Sequence, residues 1–419
     1  MDIRVNDAFR TGSRGDVDSR YAWLRLTAAV VTCTIGNVGL WAYVVALPTV
    51  QADFGVSRAE ASLPYTLTMI GFALGGVLMG RLTDRLGIMP PIMISAVALG
   101  VGFVSSAFAP NLLLFALAQS LLGFLGCSAL FGPMMADISH WFIQRRGAAV
   151  AIAASGSYLS GAIWPPIEQH FIDAFGWRHT FIGIGIFCVV TMLPLAFAFR
   201  RQAPLHERPP TPAQIRGMER PLGFSPNMLQ ALLGVAGLAC CVAMSMPQVH
   251  IVAYCADLGY GPAVGANMLA ILLGLGIVSR VGSGLIADRI GPIATLLIGS
   301  TAQGVALTLF MGFNGLTSLY VISALFGLFQ GGIVPCYALI VRDYFPPKEA
   351  GTRVSIAIMA TVFGMALGGW MSGAIFDLTG SYRAAFANGI AWNVLNAAIA
   401  LWLLMRSRWQ PRKERLAPA

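Results

Sequence analysis

Charge is what this sequence has least of. Asp, Glu, Lys and Arg together make up 11% of its 419 residues, while 57% are hydrophobic; soluble domains carry roughly a quarter charged residues. A water-soluble globule of this length is excluded, because it would have too little polar surface to cover its cores, and lipid becomes the main solvent. Lysine is absent before Lys348. The chain is polar as far as Arg20 and has no apolar core of the signal-peptide kind there, so insertion is expected to rest on the first long apolar run itself. The seven cysteines (Cys33, Cys127, Cys188, Cys240, Cys241, Cys255, Cys336) fall in or beside apolar runs, without the spacing of a zinc site or a disulfide framework. They read as small packing residues. No nucleotide loop, metal-ligand cluster or nucleophile–base set is visible, so neither an enzyme nor a cofactor is expected.

What is present is a succession of apolar runs of about 20 residues, each long enough to cross a bilayer. Six are predicted in the first half: Trp23 to Leu47, Ser62 to Thr83, Pro91 to Ala109, Leu112 to Ala136, Gly147 to Ile167 and Thr180 to Phe199. Six more follow: Met228 to Ala256, Ala263 to Ala287, Ile293 to Phe313, Leu316 to Val341, Gly351 to Phe376 and Ala384 to Met405. The expected organisation is a tail (1–22), a six-helix bundle (23–199), a linker (200–226), a second six-helix bundle (227–405) and a second tail (406–419). Lys and Arg are retained in cytoplasmic loops. With the N-terminus inside, 23 of the 27 basic residues, Arg25 among them, fall in inside segments and three (Arg58, Arg178 and Arg383) in outside loops. The reading is a multi-pass protein of the cell inner membrane with both termini cytoplasmic. The net charge of +9 then reflects topology and not nucleic-acid binding.

The halves repeat. Gly80-x-x-x-Asp84-Arg85-x-Gly87 recurs as Gly284-x-x-x-Asp288-Arg289-x-Gly291, shifted by 204 residues. A second echo pairs Asp173-x-x-Gly176-Trp177-Arg178 with Asp377-x-x-Gly380-Ser381-Tyr382-Arg383. Two matches at nearly one spacing predict an all-α membrane protein of twelve helices in two pseudo-symmetric bundles. Asp84 and Asp288 end the second and eighth spans, where each carboxylate would meet the positive dipole end of the eleventh or fifth span. With Arg85, Arg289, Arg145 and Arg146 they are the expected gating residues. Gly71-x-x-x-Gly75 and Gly76-x-x-x-Gly80 in span two, and Gly364-x-x-x-Gly368 and Gly369-x-x-x-Gly373 in span eleven, predict close helix packing.

The twenty-seventh basic residue, Arg280, falls eight residues before Asp288, about 12 Å inside the end of the eighth span at 1.5 Å per residue. A guanidinium so deep costs at least about 2.5–3.5 kcal/mol and usually faces a cavity. Every Asp and Glu falls in a tail, a loop or the last turn of a predicted span, so the sequence offers it no acidic partner at its own depth. Its planar fork suits a carboxylate, and a single deep cation matches one carboxylate better than two. Gln119, Asn267 and Tyr337, on spans four, eight and ten, are the expected further cavity-lining residues.

The loop motif makes the chain resemble the major facilitator superfamily over nearly its whole length, although Ile88 and Met89 stand where a basic pair usually follows. Trp141-Phe142-Ile143-Gln144-Arg145-Arg146-Gly147-Ala148-Ala149, leading into span five, resembles the monocarboxylate transporter family's pattern there, with Gln144 for a basic residue and Ala148 for Leu. Asp18-Ser19-Arg20-Tyr21-Ala22-Trp23 is a weaker likeness to that family's other signature. The resemblance implies a span-eight arginine that binds substrate carboxylate, the place of Arg280. It also implies an aspartate one turn earlier, where this chain has Gly276, and a lysine in span one, which is missing.

The resulting expectation is a monomeric secondary active transporter in the lipid bilayer, moving a small monocarboxylate such as lactate or pyruvate by alternating access, with or without a proton. Three other readings remain: an organic anion exchanger of the oxalate/formate type, a drug efflux antiporter, and a nutrient sensor that binds without transporting. The exchangers pair the arginine with a lysine in span eleven, which this chain lacks. The drug antiporter is disfavoured by the missing intramembrane carboxylate. Proteoliposome counterflow separates the sensor from the rest.

Overall fold

The computed structural model describes residues 17–143, 145–201 and 221–414. Among them the chain is helical, with no strand. Eleven helices are long and apolar enough to cross a membrane. One of these, 53 residues from Gly147 to Phe199, breaks at Gly176 (φ 77°, ψ 160°) into the fifth and sixth spans, giving twelve in all. Large apolar side chains such as Leu113, Phe175, Val190 and Leu285 are exposed on the helices, as they must be where lipid is the solvent.

The chain groups into two compact units, residues 1–56 with 61–207, and 57–60 with 208–419. In the first unit, the first span is Arg20–Gly36 and Val38–Phe54, interrupted at Asn37, whose Nδ2 donates to Cys33 O at 2.8 Å. Arg58–Leu86, whose first three residues group with the second unit, and Met89–Ala107 follow. The fourth span starts as Leu112–Leu121, passes through a π-helical turn at Leu122–Cys127 and a short 3₁₀ turn, and resumes as Gly132–Trp141. In the second unit the spans are Pro226–Asp257, Pro262–Ile290, Pro292–Gly312, the broken Leu316–Gln330 and Ile333–Tyr344, Pro347–Thr379, and Tyr382–Glu414.

The repeat is structural as well as sequential. Gly87 and Gly291 close the two copies of the loop motif with φ of 80° and 87°. Their amides return to Thr83 O (2.8 Å) and Ala287 O (2.9 Å), a left-handed helix stop that glycine adopts without a Cβ penalty. Helix contacts repeat at the same offset. A Cβ on Gly123 would sit 2.0 Å from Thr68 O, and one on Gly327 would sit 2.1 Å from Leu272 O; both residues of the second pair lie 204 positions beyond those of the first. The second and fourth spans therefore touch backbone to backbone, and so do the eighth and tenth. Small residues permit this approach in lipid, where packing and not water exclusion drives association.

Two expectations need correction. Gly71 and Gly75 pack against Ser120 O and Phe124 O, and Gly364 and Gly368 against Leu238 O and Val242 O, but a Cβ on Gly76 or Gly80 would meet nothing within 4 Å. Only the first of the two glycine pairs in span two is thus a packing motif, because the second pair lies on another face of the helix. The fifth span also continues past Ile167 to the break at Gly176. The seven cysteines are free and buried.

Candidate functional site

Arg280 lies in the second unit on Pro262–Ile290, ten residues from the helix end, and is 9% exposed. Its counterpart in the first unit, 204 positions earlier, is Gly76. Two helices with the same place in a duplicated fold thus carry a glycine in one case and a guanidinium in the other. The architecture itself does not require a cation there.

The backbone around Arg280 is fixed by the tenth span. Its break at Gly331–Gly332 meets the helix on both sides of Arg280: a Cβ on Gly331 would lie 2.2 Å from Gly276 O, one turn before it, and one on Gly332 would lie 1.9 Å from Ser283 Oγ, just after it. Gly332 N donates to Ser279 Oγ at 3.2 Å. Gly276, standing where the resemblance implies an aspartate, is therefore part of a close helix crossing.

Tyr337 is fully buried and its hydroxyl donates to Asn396 Oδ1 at 2.8 Å, while Asn396 Nδ2 donates to Ser300 Oγ at 2.7 Å. Its hydroxyl ties the tenth span to the twelfth and ninth. Replacing it by phenylalanine leaves a buried amide oxygen without its donor, and is expected to cost about 1–3 kcal/mol. Thermal unfolding of Tyr337→Phe checks this; a loss of carboxylate affinity at unchanged stability would instead put the hydroxyl at the substrate. In the first unit, Gln119 is buried and its Nε2 donates to Ser106 Oγ at 3.1 Å, while its backbone carbonyl accepts from Thr68 Oγ1 at 3.1 Å. Asn267 is exposed. Among the described residues, no hydrogen bond joins any of these four candidates to another. Asp84, Arg85, Asp288, Arg289 and Arg145 are exposed at helix ends; the side chain of Arg146 lies outside the described residues.

The sequence matches the profile of the Major Facilitator Superfamily over residues 29–306 and 281–419. The chain belongs to this superfamily. Monocarboxylate transporter 13 of Rattus norvegicus is 25% identical over 392 residues, 92% of this chain and 90% of that one. Monocarboxylate transporter 11 of Mus musculus is 26% identical over 387 residues, covering 89% and 85%. Among solved structures, the nucleoside transporter NupG superposes with a TM-score of 0.72 at 13% identity, covering 91% of this chain and 99% of that one. A bacterial homologue of the human lysosomal transporter Spinster, in an inward-facing conformation, gives 0.66 at 17%, covering 95% and 98%. These structures share the fold.

This facilitator also holds buried charges that the sequence reading missed. Arg25, counted there among inside-loop cations, is 2% exposed within the first helix. Its Nε and Nη2 grip both oxygens of Asp137, each at 2.9 Å. The guanidinium also lies over Trp141 (4.6 Å) and Phe199 (5.1 Å). Arg58, assigned to an outside loop, is 7% exposed and groups with the second unit. There its Nη2 donates to both oxygens of Asp257 (3.1 Å each) and its Nη1 to the Tyr382 hydroxyl (3.1 Å). Asp377 accepts from the amides of Arg58 (2.9 Å) and Ala59 (2.7 Å). His250 joins this cluster through Tyr382 (3.3 Å) and Gly369 O (2.8 Å). Burial therefore does not single out Arg280; distance from a helix end does. A carboxyl was overlooked as well: Glu168, just beyond the predicted end of span five, is 1% exposed inside the continuing helix. The signal that could have found it is Gly176, the true stop, eight residues further on.

Proposed function

We propose that this facilitator is a secondary active transporter of a small organic monocarboxylate, of the lactate or pyruvate kind, and that Arg280 binds the carboxylate. The observation that carries this reading is the asymmetry of the repeat: a buried guanidinium stands in span eight where the equivalent helix has Gly76. A cation that the fold does not need, retained at cost in a membrane helix, marks a binding function. The monocarboxylate transporters among the relatives support the substrate class. Transport proceeds by alternating access in an inner membrane with both termini cytoplasmic. Asp84, Arg85, Asp288, Arg289, Arg145 and Arg146 act in gating in this proposal, and Gln119, Asn267 and Tyr337 line the substrate path. Gln119 and Tyr337 each already make a side-chain hydrogen bond, so they contribute chiefly shape.

Thermal unfolding of the purified full-length chain with lactate, pyruvate, oxalate and succinate tests the proposal. A ligand at a hundred times its Kd adds about 2.7 kcal/mol to the stability of the state it binds. Lactate or pyruvate is expected to stabilise the wild type and to leave Arg280→Gln unmoved. Equal stabilisation of both proteins would place the site elsewhere.

The drug-antiport reading was disfavoured because no carboxylate was found inside a span. Glu168 removes that objection, so the preference for an anion rests on Arg280 and on the relatives.

A further inference from the structure

Glu168 is the buried ionisable group that neither the packing nor the proposed substrate site accounts for. Neither carboxyl oxygen has a hydrogen-bond partner among the described residues, and none of the ion pairs described there includes it. The repeat again shows what the fold needs at this place. The counterpart, 204 positions on, is Ser372, equally buried, with its hydroxyl donated to Gly368 O at 2.8 Å. A small, self-satisfied hydroxyl suffices in the second unit, whereas the first unit carries a carboxyl without a partner.

Among the described residues no ion pair includes it. The helix that carries it, continuous through the fifth and sixth spans, packs against the first span, the third, and the last segment of the fourth. Of the charged groups on these elements, Arg25 is bound to Asp137, Asp53 to Arg178 at 2.7 Å, and the third span has none. Arg20 lies at the exposed end of the first helix. Neutral neighbours on the same elements are Tyr21, Cys33, Tyr43, Tyr158 and Cys188, and the imidazoles are His140, His170 and His179. Asp173, one turn beyond Gln169, accepts from that residue's Nε2 at 2.8 Å. Just before Glu168, Pro165 and Pro166 lack the amide protons that would bond the carbonyls of Gly161 and Ala162. Burying a carboxylate without partners costs several kcal/mol, whereas a carboxylic acid beside carbonyls that lack an amide donor can give its proton to one of them.

We infer that Glu168 is the proton-binding residue that couples substrate movement to the proton gradient. The inference rests on the anion reading above: a monocarboxylate carried with one proton crosses as a neutral pair. Glu168 takes the proton from water when one face is open and returns it to water at the other, so no other co-reactant is needed. It supplies the ionisable carboxyl that Gly276 does not.

Two measurements on the full-length chain test it. Infrared difference spectra over a pH series, without substrate, read protonation directly. The carbonyl stretch of a protonated carboxyl is expected at neutral pH in the wild type and in Arg280→Gln, and is expected to be absent from Glu168→Gln. An identical band in Glu168→Gln overturns the inference. In proteoliposomes with an inward proton gradient, the wild type is expected to accumulate lactate. Glu168→Gln is expected to lose that accumulation, and its remaining lactate exchange to become insensitive to pH; Glu168→Asp, which keeps a carboxyl, is expected to restore part of it. Gradient-driven accumulation by Glu168→Gln at the wild-type level overturns the coupling role. If the wild type carries no lactate or pyruvate, the substrate reading fails and the coupling role with it. The infrared series still decides whether Glu168 holds the proton.

Discussion

Arg25→Ala is expected to lower the unfolding free energy by about 3–5 kcal/mol, the range for breaking a buried ion pair by removing one partner. The pair is fully internal, with side-chain exposures of 0% for Arg25 and 6% for Asp137. Removing the guanidinium leaves a desolvated carboxylate without its partner and also removes the cation held over the Trp141 and Phe199 rings. The repeat supplies a matched rescue. The positions 204 residues beyond Arg25 and Asp137 are Leu229 and Val341, both buried. The second unit thus fills the equivalent places with apolar side chains, and buried ion pairs are often replaced by packed hydrophobic residues without loss. The double variant Arg25→Leu with Asp137→Val is expected to recover most of the stability lost in Arg25→Ala. Denaturant or thermal unfolding in one detergent checks both. If the double variant is less stable than either single one, the ion pair is a net stabiliser that packing cannot replace.

Gly331→Val is expected to weaken carboxylate binding at least about tenfold while leaving the rest of the second unit folded. A Cβ at Gly331 would lie 2.2 Å from Gly276 O and 2.9 Å from Gly276 Cα. Those are backbone atoms that cannot rotate away, so the eighth span must move or bend one turn before Arg280. Overpacking of this kind costs about 1–3 kcal/mol, and its geometric consequence falls on the guanidinium. The expected reading is an affinity for lactate or pyruvate weakened at least about tenfold, equivalent to about 1.4 kcal/mol, in the thermal-shift titration. Gly76→Ala in the equivalent helix is the control and is expected to change little, since a Cβ there meets nothing within 4 Å. Wild-type affinity in Gly331→Val would show that the eighth–tenth crossing does not position Arg280.

The helices were legible in the sequence because a membrane span must satisfy its backbone internally and cover itself with apolar side chains, and both requirements write themselves into one run of residues. The duplication was legible because the glycine after each Asp-Arg is demanded by a positive φ that few other residues tolerate. Boundaries were less legible. The first and fifth spans run past their predicted ends, since a polar residue can continue a helix once the fold pairs or buries it: Asp53 pairs with Arg178, and Glu168 is buried.

Which charges meet was not legible at all. Arg25 and Asp137 are 112 residues apart, and Arg58 lies 199 from Asp257. Nothing local in the chain announces either pair, because a long-range ion pair is fixed by how helices stack and not by any periodicity along one helix. The same holds for glycine function: Gly71, Gly75, Gly76 and Gly80 look alike in sequence, yet only the first two face a neighbouring backbone.

The sequence by itself determined that this protein lives in lipid, that it crosses the membrane twelve times in two related halves, and that Arg280 stands far from any helix end. Only the tertiary structure decided that Arg280 shares burial with two paired arginines and that the tenth span presses on the turn before it. It alone placed Glu168 inside a helix without a hydrogen-bond partner among the described residues. Composition fixes the solvent a chain must choose, whereas the cost of a buried charge depends on what the fold brings within about 3 Å of it.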